Sequence, residues 1–406
     1  MPEEREVVQQ VEIETTPERA FQALTRTGDL REWCADQAWA DPRPGGRFAL
    51  HWNSGYHAEG TFRECEAPRR ATVDWQGTGE PGRSEVEFQI EPRDGGVEVT
   101  VRHSGFGPGE AWDKAVSESE EGWAQGVENL KSTLETGVDL RIARQPFLGI
   151  TLDQLTPERA EREGIAVERG IYITGTVAGS GAEAAGLGSG DVIVALAGRE
   201  TPGFAELGSA LRAHQAGDEI EVEVVHGQER RTVAVTLGTR PQPELPDDPE
   251  ALAAKLARRY EEVDAGLEAA IAGLDDVEAV QCPEEGEWSV QQVLAHLSDG
   301  ERSFHTVLVN LAVNGWMDAD PVYPDDIPGR LEAIIALTPS LRGLADRLQA
   351  DERETVELVR RLPAETVANK ARFRRIAQYV LFGPDHTEEH LGQIRRTVKA
   401  VRGEEG

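Results

Sequence analysis

The chain has 406 residues, of which 39% are hydrophobic and 29% are charged, so its length predicts two to four globular domains. Asp and Glu number 74 against 42 Lys and Arg, which gives a formal net charge of -32. A surface of that sign repels nucleic acid and anionic membranes, and the composition argues against both as partners.

The N-terminal sequence is charged where a secretory signal would be apolar, and no run approaches about 18 apolar residues. The cysteines are Cys34, Cys65 and Cys282, which are odd in number and far apart. They predict buried, inert thiols and argue against a disulfide framework or a metal knuckle. We therefore expect a cytoplasmic protein.

The first segment, residues 1–138, alternates in the manner of β-strands before it becomes helical. Val7, Val11 and Ile13 predict a half-buried strand, and Thr16-Pro17 predicts the cap and first residue of a helix. Further strands are predicted at residues 47–52, 56–65, 71–76, 86–90 and 97–101, and an amphipathic helix at 112–134. We expect an α+β domain in which a curved antiparallel sheet wraps one long helix.

Motifs in this segment, at residues 16–24, 30–33, 44–48, 60–62 and 122–135, resemble the START-like (SRPBCC) superfamily. The branch in question is akin to heat-shock-protein ATPase activators. The resemblance implies a helix-grip fold whose apolar cavity binds a small apolar ligand. The candidate lining residues are Trp33, Trp52, Trp75 and Trp112, and the alternative is that each is simply a core residue.

The second segment, residues 145–238, carries a glycine-rich stretch followed by a strand. Gly186 is predicted to end a short helix in the left-handed conformation, and Asp191 to bond backbone donors before the next strand. The pattern resembles the PDZ domains of bacterial HtrA-type proteases, a mostly-β fold.

The PDZ resemblance implies a groove that binds a peptide as an added strand. Its carboxylate-binding loop would be Phe147, Leu148, Gly149 and Ile150, and its helical wall would run from Phe204 to about His214, with Leu207 and Leu211 facing in. The preceding residues carry no trypsin-like protease pattern. The groove is therefore expected to bind a C-terminal peptide or to dock another protein domain.

Residues 239–247 form a Pro-rich, acidic linker, and residues 248–402 are predicted to form an all-α four-helix bundle. Asp248-Pro249 predicts one helix start, and Ser289 with Gln292 predicts a capping box at another. Thr338-Pro339 predicts a third start. Gly383-Pro384 is predicted to kink or restart the last helix, which ends near residue 401.

Three histidines of the bundle carry the most chemistry. His386 and His390 are four residues apart and share one face of a helix, where they can hold one metal ion. His296 from a facing helix would complete three protein ligands, which leave a coordination position open, as in catalytic zinc sites. His305 lies nine residues after His296 and is predicted to point away from the site.

The stretches 287–297 and 386–394 resemble the DinB/YfiT-like family. The resemblance implies that His296, His386 and His390 bind a divalent metal, zinc or nickel. Some members of that family are metal-dependent transferases that use a small thiol, and this is one hypothesis for the function. The other is a non-catalytic stress-response adaptor or scaffold that binds peptide termini and a hydrophobic ligand. The sequence identifies no catalytic side chain.

Overall fold

The computed structural model describes residues 5–284, 286–314 and 329–403. Residues 1–4 of the predicted first domain and 315–328 of the predicted bundle lie outside the described residues. The chain divides into two compact units. One unit joins Met1–Val138 to Glu244–Gly406, and the other is Asp139–Pro243.

The N-terminal domain is an antiparallel sheet closed by a long helix. Its strands are β1 (Arg5–Ile13), β2 (Gln37–Ala40), β3 (Arg47–His51), β4 (His57–Glu66), β5 (Arg70–Gly77), β6 (Ser84–Arg93) and β7 (Gly96–Phe106), and its helices are α1 (Pro17–Thr25), α2 (Thr27–Trp33) and α3 (Glu110–Thr136). The sheet order is β1-β7-β6-β5-β4-β3-β2. Thr16 accepts a hydrogen bond from the Arg19 amide at 3.2 Å, which confirms the predicted start of α1.

The core of this domain lies between the sheet and α3. Alternate residues of β6, including Val86 and Phe88, are buried on the face that meets Trp123 and Leu130 of α3. The predicted α+β architecture is confirmed.

The second unit is mostly β. Its helices are α4 (Leu140–Ala143), α5 (Pro157–Glu163), α6 (Gly181–Ala184) and α7 (Phe204–Leu211), and its strands are β8 (Pro146–Phe147), β9 (Ile150–Gln154), β10 (Ile171–Thr176), β11 (Asp191–Leu196), β12 (Arg199–Glu200), β13 (Glu219–His226), β14 (Glu229–Thr236) and β15 (Gly238–Thr239). The main sheet has the order β14-β13-β11-β10-β9, so β9 lies at an edge. Gly186 has φ +71, and Asp191 accepts from the Gly188 amide at 3.0 Å, as predicted. Helix α7 ends before His214.

The C-terminal domain is all-α. Its helices are α8 (Pro249–Ile271), α9 (Asp276–Ala279), α10 (Val290–Asn314), α11 (Gly329–Leu337), α12 (Leu341–Arg360), α13 (Ala364–Ala368) and α14 (Lys370–Arg402). The four long helices form a bundle in which α14 and α12 each pack against both α8 and α10. The predicted capping box is present, since Ser289 and Gln292 exchange side-chain to backbone hydrogen bonds of 2.9 and 3.3 Å.

One predicted helix boundary is wrong, and of the two alternatives predicted at Pro384, a kink or a restart, the restart is contradicted. Helix α12 begins at Leu341, because Ser340, two residues past the predicted cap, accepts from the Gly343 amide at 3.1 Å. Helix α14 does not restart at Pro384 but runs unbroken through it, although proline supplies no N–H for the usual backbone hydrogen bond. His386 and His390 therefore lie on one helix. Within the described residues, no helix is both long and apolar enough to cross a membrane.

Helix α14 also packs on the N-terminal domain. Gly137 ends α3 in the left-handed conformation at φ +74, beside the backbone of Lys370 at the start of α14. A Cβ atom at position 137 would lie 2.5 Å from the Lys370 carbonyl oxygen, so glycine is required for both reasons.

Candidate metal centre

Two neighbouring helices bring the three predicted histidines together. His296 lies on α10 and is buried, whereas His386 and His390 lie one turn apart on α14 and are half-buried. The ring centroids are 5.3 Å apart for His296 and His386, 4.9 Å for His296 and His390, and 4.8 Å for His386 and His390. The imidazoles converge on one point between α10 and α14.

The nitrogen atoms are spaced as a metal ion requires. One nitrogen from each ring can be chosen so that all three lie within 4.8 Å of one another. The Nε2 atoms of His296 and His386 are 3.4 Å apart. Tetrahedral ligands at zinc–nitrogen distances of 2.0–2.1 Å are also about 3.4 Å apart. The Nε2 atoms of His296 and His386 are therefore spaced as two ligands of one ion are.

Gln393 orients the third histidine. Its Oε1 atom lies 2.7 Å from His390 Nδ1. Because an amide oxygen accepts, this orientation of Gln393 matches the tautomer in which Nδ1 of His390 donates and Nε2 is the nitrogen that faces a metal. This is the outer-shell hydrogen bond that fixes the tautomer of metal-binding histidines. Gln393 was not predicted as a site residue, although its spacing of three residues from His390 on a helix indicates the contact.

Other histidines have separate roles. His305 Nε2 contacts Thr355 Oγ1 at 2.8 Å and so lies outside the triad, as predicted. His103 is buried between Ser84 and Trp123, whose side chains lie 2.7 and 3.2 Å from its ring nitrogens. Burial lowers the pKa of His103 to about 3, so this ring is neutral and structural.

A layer of buried carboxyl groups lies inside the bundle. Glu301 accepts hydrogen bonds from Tyr260 at 2.8 Å and from Thr355 at 2.7 Å. Burial raises the pKa of Glu301 to about 7. Burial, and then the charge of Asp264, raises the pKa of Glu352 to about 10, so Glu352 is protonated at neutral pH. This layer of carboxyl groups was not predicted from the sequence.

Helix α14 comes close to that layer at Gly383. A Cβ atom at position 383 would lie 2.7 Å from Tyr260 Oη and 3.2 Å from Glu301 Oε1. The glycine therefore lets the histidine-bearing helix pack directly on the Tyr260–Glu301 pair.

The predicted peptide loop leads into β9, the edge strand of the main sheet of this unit. Gly149 has φ +86, and its carbonyl oxygen accepts from the Val177 amide at 2.9 Å. Ile150, on the edge strand β9, is half-buried. The remaining predicted groove residues are placed as follows: Phe147 pairs with Gly238, Leu148 and Leu207 are buried in the domain core, and Leu211 is half-buried on α7.

The four tryptophans predicted to line a cavity are built into the N-terminal core. Trp33 is 1% exposed, and its Nε1 donates to the Ala23 carbonyl at 2.9 Å. Trp75 is buried, and Trp52 and Trp112 are half-buried against the same core. The binding of an apolar ligand by these residues stays a prediction.

Comparison with known families assigns each domain. Residues 14–135 match the family of Activator of Hsp90 ATPase homolog 1-like protein, residues 146–237 match the PDZ domain, and residues 259–394 match the DinB superfamily. The chain joins an AHSA1 domain, a PDZ domain and a DinB domain. The three resemblances seen in the sequence are thereby confirmed.

Individual relatives cover only parts of the chain. The periplasmic pH-dependent serine endoprotease DegQ of Escherichia coli (strain K12) is 28% identical over 102 residues, which are 25% of this chain and 22% of DegQ. A probable periplasmic serine endoprotease DegP-like of Marinomonas sp. (strain MWYL1) is 30% identical over 127 residues, 31% of this chain and 24% of that protein. The match thus spans about a quarter of these relatives' length.

Among solved structures, the Aha1 dimer of Colwellia psychrerythraea is similar to part of this chain. The match covers 32% of this chain and 96% of the Aha1 chain. The sequence identity is 22% and the TM-score is 0.29.

Proposed function

We propose that His296, His386 and His390 of the DinB domain bind one divalent metal ion, zinc or nickel, and leave one coordination position for a substrate. The 3.4 Å separation of the His296 and His386 Nε2 atoms carries the proposal, because it matches the spacing of two ligands on one ion. Gln393 supports it by holding His390 in the tautomer that a metal ligand needs.

The reaction that this site suits best is the transfer of a small thiol to an electrophile. A bound metal ion would lower the pKa of a thiol at the open position. The sulfur would then form a bond to an electrophilic carbon, the bond from that carbon to its leaving group would break, and the leaving group would depart with the bonding electrons while the thiol proton passes to solvent. The chain's own part is to hold the three imidazoles in place and to restrict water, since His296 is buried and its two partners are half-buried.

The test has two steps on the full chain. The metal content is measured after removal of metal and reloading with zinc or nickel, and thiol consumption is then followed with glutathione and a series of electrophiles. His305→Ala is the matched control, because this histidine is on α10 but contacts Thr355. Metal uptake without thiol consumption would retain the site and reject the reaction.

A second candidate function is peptide binding by the PDZ domain, as part of a non-catalytic stress-response adaptor. The edge position of β9, next to the left-handed Gly149, supports it, because a peptide could add there as a strand. We expect weak binding of peptides with a free, apolar C-terminus. Equal binding of amidated peptides would reject carboxylate recognition.

We also propose a cytoplasmic location, which the thiol form of Cys65 and Cys282 supports. Fluorescence of a tagged full-length chain in fractionated cells tests it, and recovery from the periplasm would reject it.

A further inference from the structure

Two members of the histidine triad, His296 and His386, each lie next to an aromatic ring. The Trp288 ring lies 4.9 Å from His296, measured between centroids. The Phe382 ring lies 6.3 Å from His386 and is nearly parallel to it, with an interplanar angle of 18°. The two aromatic residues contact different imidazoles and precede different ligands in the chain. Trp288 lies just before the start of α10, and Phe382 lies one turn before His386 within α14.

Phe382 stands out because it is 52% exposed. Its ring lies 6.5 Å from Phe304, which in turn lies 4.8 Å from Tyr379, so one part of Phe382 packs on an aromatic group while the rest meets solvent. A large aromatic side chain next to a binding site loses this exposed surface when a ligand covers it.

Two arginines of the described bundle, Arg259 and Arg330, are paired with carboxylates. Arg259 forms ion pairs with Asp385 at 2.9 Å and with Glu388 at 3.0 Å, on both sides of His386 in sequence. Arg330 pairs with Asp299 at 2.7 Å. The charge of these two arginines is balanced locally, so neither is placed to attract an anionic ligand.

We infer that Phe382 and Trp288 make the metal site selective for ligands that carry a planar apolar group next to the atom that binds the metal. The inference rests on the proposed metal site and names the class of substrate it accepts, which is an aromatic or other flat, uncharged electrophile. Phe382 is the specificity residue, because its ring is exposed and lies nearly parallel to the imidazole of His386.

The experiment uses the full chain loaded with Co²⁺, whose visible absorption reports a change in coordination. Imidazole and 4-phenylimidazole are titrated against it as metal-binding probes that differ by one phenyl ring. We expect the wild type to bind 4-phenylimidazole about tenfold more tightly than imidazole. Phe382→Ala should reduce that preference to about threefold or less and leave imidazole affinity unchanged.

Two variants keep the result interpretable. Phe382→Tyr retains a flat ring and should keep the preference. Phe204→Ala removes a phenylalanine of the PDZ domain with 50% exposure, and should change neither affinity. Loss of the preference in Phe382→Ala cannot then be ascribed to the general loss of an exposed ring.

The failures of the two proposals differ. If the wild type takes up no Co²⁺, the metal site is rejected and the inference falls with it. If Co²⁺ binds but the two probes bind equally, or if Phe382→Ala keeps the full preference, the metal site stands and the selectivity is overturned.

Discussion

The Nδ2 atom of Asn369 lies 3.0 Å from Oδ1 of Asp29, although 340 residues separate them in sequence. Asn369 caps α14, and Asp29 lies on α2 of the AHSA1 domain. Asp29 also pairs with Arg19 at 3.2 Å and with Arg372 at 3.3 Å. The helix that carries two candidate metal ligands thus begins in a buried polar cluster shared with the AHSA1 domain.

Asn369 is predicted to hold that cluster together. Asn369→Ala removes both its donor and its cap, and should lower the free energy of unfolding by about 2 kcal/mol. Asn369→Asp keeps the cap but replaces the donor with a third carboxylate, next to Asp29 and Glu32. We expect it to destabilise at least as much. Denaturant unfolding measures the stability of both variants. An unchanged free energy of unfolding in Asn369→Asp would show that the cluster does not join the two domains.

A second prediction concerns pH and Glu352. The pKa of Glu352 is about 10 in the folded protein and 4.5 in the unfolded chain, so between these values the folded state binds one proton more than the unfolded state. Glu352 therefore makes stability fall as pH rises between these two values, by about 1.4 kcal/mol per pH unit. Glu352→Gln should remove that contribution between pH 5 and 9. Glu354→Gln, on an exposed side chain of the same helix, should leave the slope unchanged. Identical slopes in wild type and Glu352→Gln would contradict the buried, protonated state.

The sequence predicted local features well where one short motif decides the structure. Thr16-Pro17 starts α1, and Ser289 with Gln292 caps α10. The start of α12 was misplaced because two capping residues, Thr338 and Ser340, compete within three positions and only packing chooses between them.

The histidine triad was predictable because two of its members share a helical face, and the family resemblance supplied the third. The contact of Asn369 with Asp29 was not, since nothing in a sequence pattern joins two residues 340 positions apart. The same holds for the buried carboxyl groups of α10 and α12, whose helices are polar at these positions and would be expected to face solvent.

Gln393 is predicted to strengthen metal binding without touching the ion. Gln393→Ala removes the acceptor for His390 Nδ1 and should weaken metal affinity about 10- to 100-fold in a competition titration with a chelating dye. Gln393→Glu retains an acceptor and should bind nearly as tightly as the wild type. If both variants bind alike, Gln393 does not orient His390.

Gly149 is predicted to be essential for the PDZ groove. Its φ of +86 is strained for other residues, and a Cβ atom there would clash with the Ser180 side chain. Gly149→Ala should therefore abolish binding of a peptide with a free C-terminus in a fluorescence anisotropy assay. Gly179 has a similar φ of +75, and a Cβ atom there would meet nothing within 4 Å. Gly179→Ala is therefore the matched control and should retain binding. Loss of binding in both would point to backbone strain alone.

The metal content of the full chain and of its single histidine variants tests the central claim most directly. After loading with zinc and removal of excess by gel filtration, the wild type and His305→Ala should each hold one ion per chain. His296→Ala, His386→Ala and His390→Ala should each hold far less than one, because two imidazoles bind too weakly to survive the column. One ion per chain in all three variants, or none in the wild type, would contradict the account.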